Sequence, residues 1–239
     1  MIRRALPLLL PLLLWQALTL SGQVPPYILP APLAVAEALV ADRALLWTHL
    51  LVTLSEVLMG LGIGLLLGGG VAMTTSLSPR FERLSRPALV ASQALPVFVL
   101  APVLTLWMGY GPAPKVAMTV LLVFFPVASG LRDGLASTPA EVLDLARLSE
   151  ASPWRALLWL RLPHALPHLG AGLRIAVTYA PTGAVIGEWV GASKGLGYLM
   201  LMSNARMRIE LLFAALILIV AMTLVLNLTM DRLLRRLRM

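Results

Sequence analysis

Apolar residues along this chain gather into long runs, each about as long as a bilayer is thick once wound into a helix. Six spans are predicted, at roughly residues 5–22, 52–76, 88–108, 114–132, 170–190 and 211–230. Between the first two, Pro25-Pro26-Tyr27-Ile28-Leu29-Pro30 reads as an extended, proline-stiffened link. Residues 33–47 then read as a short amphipathic helix at the membrane surface. The pattern gives an all-α, polytopic membrane protein in a single domain, 1–239. Residues 1–50 form a first span and outer linker, and 51–232 form the core helices.

One polar stretch, Thr138 to His168, interrupts the apolar pattern and carries two helix-start signals. Thr138-Pro139-Ala140-Glu141 follows the capping-box pattern, with threonine as the cap and proline at the first helical position. Ser152-Pro153 repeats the start, and Leu162-Pro163 is predicted to end the second helix. The expected order is helix, break, helix. A short turn would have joined two spans, so a structured loop here argues for a docking device.

Composition narrows the class. With 59% hydrophobic and 13% charged residues and a mean hydropathy of +0.87, a soluble globular domain is excluded. The absence of cysteine removes disulfides, thiol nucleophiles and Cys-ligated metals. A net charge of +8 would suit nucleic acid, but the arginines sit at the ends of apolar runs, which is how a membrane protein sets its orientation. With both termini inside, only Arg43, Lys115, Lys194, Arg206 and Arg208 of the 19 cationic residues fall outside. That bias predicts N- and C-termini and the 138–168 loop in the cytoplasm, and no nucleic-acid partner. Met1-Ile2-Arg3-Arg4 and the run to Leu20 could begin a signal peptide, but no small-x-small cleavage site follows. A retained first span is the reading.

In the second span, Gly60, Gly64 and Gly68 recur every four residues, with Ala72 continuing the row, which predicts close approach of another helix. Gly68-Gly69-Gly70 lacks the Lys-Ser or Lys-Thr of a phosphate loop, so no ATPase site is expected in this chain. Ionisable groups within a span call for a functional hypothesis, and Glu56 and Glu188 qualify. Glu56 is expected to pair inside the bundle. Glu188, after Pro181 and Gly183 have weakened its helix, is read as either a gate residue or a structural pair. His164 and His168 have helical metal spacing but no third ligand nearby, so no metal is expected. No Ser/His/Asp set or carboxylate pair suggests catalysis. Trp107, Tyr110, Tyr179, Trp189 and Tyr198 could line a path for a ring-containing solute or anchor the interfaces.

The run Asp144-Leu145-Ala146, then Glu150, then Leu160-Arg161-Leu162-Pro163 resembles the EAA loop of ABC-importer permeases. Spacing and the closing Leu-Pro agree, whereas Glu150 stands where that pattern has glycine. Gln93-Ala94-Leu95-Pro96, Leu106-Trp107-Met108-Gly109-Tyr110-Gly111 and Gly187-Glu188-Trp189-Val190-Gly191 are similar to further motifs of the nitrate, taurine, alkanesulfonate and hydroxymethylpyrimidine branch. The resemblance implies a type I permease fold in a bacterial inner membrane, with 1–50 including a periplasmic linker. It also implies a second copy of this permease, a pair of ABC ATP-binding subunits carrying ATP-Mg, and a periplasmic or lipid-anchored solute-binding protein. This chain itself would bind no cofactor and catalyse nothing.

The coupling loop would be Glu141, Asp144, Leu145, Ala146, Arg147, Glu150, Ala151, Ser152, Leu162 and Pro163. Val142, Leu145, Ala146 and Leu148 would supply its docking surface, and Arg155 would join Asp144 and Arg147 in setting register at the rim. Glu56, Gln93, Pro96, Trp107, Glu188 and Trp189 would border the translocation path. The wording of the outer motifs points to hydroxymethylpyrimidine, with alkanesulfonate, taurine or nitrate as the alternative. An ion-coupled secondary transporter is the alternative class. Glu150 removes the easiest left-handed helix stop, so Ser152-Pro153 is expected to impose the break.

Overall fold

The computed structural model describes residues 2–78, 80–84, 87, 91 and 96–237, and among them every regular element is helical. In chain order these are α1 (Ile2–Leu20), α2 (Pro32–Ala41), α3 (Arg43–Leu77), α4 (Val97–Met108), α5 (Ala113–Ala136), α6 (Ala140–Leu148), α7 (Pro153–Glu188), α8 (Leu196–Ala205) and α9 (Ile209–Arg236). The helices α3, α5, α7 and α9 are long and apolar enough to cross a membrane. The first predicted span is the 19-residue α1, roughly 28 Å long at 1.5 Å per residue. Of the third, α4 is described, and most of 88–95 lies outside the described residues.

Three boundaries differ from the sequence reading. The expected surface helix 33–47 divides at Asp42, and the second span starts at Arg43. Its apolar face continues upstream through the buried Leu46, while α2 turns Val35 and Ala38 into a cluster with Leu196, Leu199 and Leu211. An ion pair of 2.7 Å between Arg208 and Asp42 holds this corner. At the other end, Leu162-Pro163 does not end the second loop helix. The chain winds on from Pro153 to Glu188 as one helix of 36 residues. A π turn over Leu157–Arg161, with the Leu162 N–H bonded to the Leu157 carbonyl five residues back, expands the helix just ahead of Pro163. One extra residue per turn accommodates the ring where the usual bond is missing. Pro181 and Gly183 do not break the helix before Glu188, which runs through both.

The centre is α5, packed between α3 and α7. Methyl groups at Gly60, Gly64 or Gly68 of α3 would overlap Thr119, Val123 or the Phe124 carbonyl of α5. The glycine row is therefore a helix-packing seam, as its spacing predicts. On its other side α5 meets α7 backbone to backbone, with Gly172 seated on the Pro126 carbonyl and Gly183 on Thr119. Val57, Val123, Val127, Ala176, Ala180 and Ala184 fill the space between the three helices.

Candidate functional site

The 138–168 segment folds as helix, break, helix, with a different start than expected. Thr138 does not cap α6: its hydroxyl turns back to the Leu135 carbonyl at 3.0 Å, and extended Pro139 holds the cap position. Proline at 139 places the helix entry one residue later than the capping-box reading. The end of α6 is a complete Schellman motif. The Ala151 N–H bonds the Ala146 carbonyl and the Glu150 N–H bonds the Arg147 carbonyl, both at 3.0 Å. Glu150 takes the left-handed position at φ 49°, where a glycine would be unstrained. Ser152 then caps α7, accepting from the Arg155 N–H at 3.4 Å, with Pro153 at the first helical position. The break thus rests on both devices, the left-handed stop and the serine-proline start.

The loop presents an uneven surface. Leu145 and Leu148 are 57% and 84% exposed, whereas Ala146 is buried and Val142 half-buried, so the outward apolar face is carried by the two leucines. Glu141, Asp144, Arg147, Glu150, Ser152, Arg155 and Pro163 are exposed, and Ala151 and Leu162 half-buried. Asp144 and Arg147 pair at 2.7 Å on the open surface, a contact that contributes under about 1 kcal/mol. A cleft of about 230 Å³ separates α6 from α7, lined by Leu145, Ala146, Ala151, Arg155 and Trp159. Behind it, Arg161 reaches inward and donates to the carbonyls of Ser76 at 3.2 Å and Leu135 at 3.0 Å. Those carbonyls lie in the last turns of α3 and α5, where a cation meets the negative helix ends. Arg161 therefore ties the loop to two core helices.

At the opposite end of the bundle Glu56 and Glu188 come together. Glu188 is buried at the end of α7, and its carboxylate accepts from the Thr53 hydroxyl at 2.6 Å, the Gly197 N–H at 2.5 Å and the Tyr198 N–H. Thr53 in turn accepts from the Leu196 N–H at 2.8 Å. The free N–H groups at the start of α8 thus end on Thr53 and a carboxylate from α7, a favourable place for negative charge. Gly195 (φ 112°) must be glycine here, because a methyl group would overlap the Glu188 carboxylate. Gly195 also donates its N–H to His49 Nδ1 at 2.9 Å. Lys115 is buried as well, and its ammonium donates to the carbonyls of Tyr110, Gly111 and Gly191 at 3.1, 2.8 and 3.4 Å. Glu56, 4% exposed, faces a 220 Å³ cleft shared with Tyr110, Lys115 and Lys194, and its Oε2 has no hydrogen-bond partner.

The other candidate path residues do not gather there. Pro96 is exposed at the start of α4, Trp107 is exposed near its end, Trp189 is exposed after α7, and Gln93 lies outside the described residues. Of the aromatics, Tyr198 stacks on His49 with ring centroids 5.9 Å apart. Sequence reasoning missed Thr53, His49 and Lys115. Lys115 had a readable signal, a lone cation in the first turn of an apolar run, but it counts as a loop charge when the span is started near 114. His49 and Thr53 carry none, since their partners lie more than 100 residues away.

A sequence-family profile described as "Binding-protein-dependent transport system inner membrane component" matches residues 60–239. The chain is 50% identical to a probable ABC transporter permease protein of Haemophilus influenzae, over 94% of this chain and 92% of that protein. It is 41% identical to the formylaminopyrimidine transport permease of Halalkalibacterium halodurans, over 72% and 70% of the two chains. It is 38% identical to the riboflavin transport system permease of Chloroflexus aurantiacus, over 92% and 82%. A solved structure described as an amino acid ABC transporter with histidines superposes with a TM-score of 0.65 at 18% identity, covering 83% of this chain and 95% of that one. That likeness concerns the fold.

Proposed function

We propose that this chain, which belongs to the family of binding-protein-dependent transport system inner membrane components, carries an aromatic nitrogen heterocycle, hydroxymethylpyrimidine or a near relative, through the membrane. It is an ABC-transporter permease and a multi-pass membrane protein. Two copies would form the pathway, two ATP-binding subunits would dock on the loops, and an external binding protein would deliver the solute. The charge bias supports a cytoplasmic position for the loop and both termini. The substrate reading is supported by the two relatives at 38% identity or more whose names state a solute, formylaminopyrimidine and riboflavin, both ring systems rich in nitrogen.

One observation carries the coupling mechanism: an exposed leucine pair on α6 is joined through a fixed break to a helix that Arg161 anchors on α3 and α5. Leu145 and Leu148 would sit in a groove of the ATP-binding subunit. Closure of the two ATPases on ATP would draw the two loops together. Because α7 is one helix from the loop to Glu188, displacement at the loop tilts the span itself and bears on the capped α8 corner at the far end. ATP must bind the two arrangements with different affinity for any of this to be driven.

Co-purification tests the docking. Leu145→Asp and Leu148→Asp should abolish capture of the ATP-binding subunit while the permease still purifies in full yield. Undiminished capture by both variants would rule out the leucine face. Ala146 is unsuitable for this purpose, since a buried aspartate there would disturb the loop itself.

A further inference from the structure

A larger cavity, of about 560 Å³, opens between α5 and α7 in the half of the bundle nearer the loop. Phe125, Ile175 and Tyr179 form its apolar walls, and Ser129, Asp133 and His168 supply polar groups. Size and lining are those of a small-molecule site. Its floor is rigid, since α5 and α7 touch through backbone where Gly172 meets the Pro126 carbonyl and Gly130 the His168 carbonyl. Counting back from Glu188 at about 1.5 Å per residue, Tyr179 lies about 14 Å and His168 about 30 Å along α7. The cavity therefore occupies one half of the hydrocarbon depth. Asp133, His168 and Tyr179 are exposed in a single copy: Asp133 and His168 stand at the loop-side mouth of the cavity, and Tyr179 lies deeper along α7.

The charge inventory is selective. Among the described residues no lysine or arginine lines the cavity. The guanidinium of Arg132 is committed to Asp133 Oδ1 at 3.0 Å, and that of Arg174 to Asp231 at 2.8 Å. An anion such as a sulfonate would shed its water beside the Asp133 carboxylate and meet no cation among the described lining residues. A planar ring with N–H donors would pack on Phe125 and Tyr179 and donate to the Asp133 carboxylate.

We propose that this α5–α7 cavity is a solute site on the transport path, selective for planar, amino-substituted nitrogen heterocycles and against anions. Tyr179 is its packing surface and Asp133 its acceptor. The assignment rests on the transport reading above and adds to it a place and a selectivity within this chain.

The complete importer, reconstituted in liposomes with its ATPases and binding protein, tests it with labelled hydroxymethylpyrimidine and labelled taurine as probes. Asp133→Asn and Tyr179→Ala should lower pyrimidine uptake about tenfold or more, the worth of a charge-assisted hydrogen bond or a lost ring contact. Tyr179→Phe should stay within about twofold. Pyrimidine uptake at the wild-type rate in the variants overturns the cavity assignment and leaves the transport reading standing. Wild-type preference for taurine overturns both. If Asp133→Asn fails to assemble, the contrast between Tyr179→Ala and Tyr179→Phe decides: a difference supports the site and equal uptake overturns it.

Discussion

Replacing Glu150 with glycine should make the 138–168 loop more stable, although it removes a charged side chain and adds no contact. Glu150 holds φ 49° at the left-handed residue of the Schellman motif, and its side chain is exposed without a hydrogen bond. An L-residue in that conformation costs roughly 1–2 kcal/mol. Glycine relieves this and loses about 0.5–1 kcal/mol through its freer unfolded chain. The net gain is about 0.5–1 kcal/mol. The assay is hydrogen exchange at the Glu150 and Ala151 amides, whose bonds to Arg147 and Ala146 close the motif. Exchange should slow about two- to fivefold in Glu150→Gly, the factor that such a free energy sets. Glu150→Gln removes the charge and keeps the backbone conformation, so it should leave exchange unchanged. Slower exchange in Glu150→Gln, or unaltered exchange in Glu150→Gly, would show that charge and not backbone strain governs this turn.

Ser152→Ala should speed exchange at the Arg155 amide and destabilise the start of α7 by about 1 kcal/mol, and an unaffected amide would remove the cap from the account. Gly195→Ala should lower the thermal unfolding midpoint by the equivalent of more than about 2 kcal/mol, because it adds backbone strain and displaces the Glu188 cap; an unshifted midpoint would contradict the corner described for α8. Gly64→Leu should cost about 1–3 kcal/mol or prevent folding by wedging α3 from Val123, whereas Gly62→Ala, whose added methyl meets no neighbour, should raise stability by about 0.5–1 kcal/mol in the same melting assay. Arg161→Gln should let ATP hydrolysis continue while uptake falls, as the loop loses its hold on Ser76 and Leu135; an unchanged ratio of uptake to hydrolysis would assign the arginine a purely local role.

What the sequence reveals here follows the range of the forces involved. Apolar runs and the glycine row act through neighbours three or four residues apart, so the spans of α3, α5, α7 and α9 and the packing face of α3 are legible. The loop's break is legible too, since Ser152-Pro153 is a local signal. The passage of α7 through Pro163 is not, because it depends on a π turn that no residue type announces. The short α8 is hidden for another reason. Its start is paid for by Thr53 and by Glu188, which only the tertiary fold brings to its first N–H groups. Glu56 and Glu188 stand out as intramembrane carboxylates. Their proximity, and the cavity beside Tyr179, arise from the crossing of helices.

The central claim is that transport by this chain is driven by ATP through the 138–168 loop. Uptake of labelled hydroxymethylpyrimidine into liposomes holding the complete importer measures it directly. Uptake should require ATP, be indifferent to an imposed proton or sodium gradient, and vanish in Leu148→Asp. Uptake that runs on an ion gradient without ATP, or that survives in Leu148→Asp with ATP still required, would contradict it.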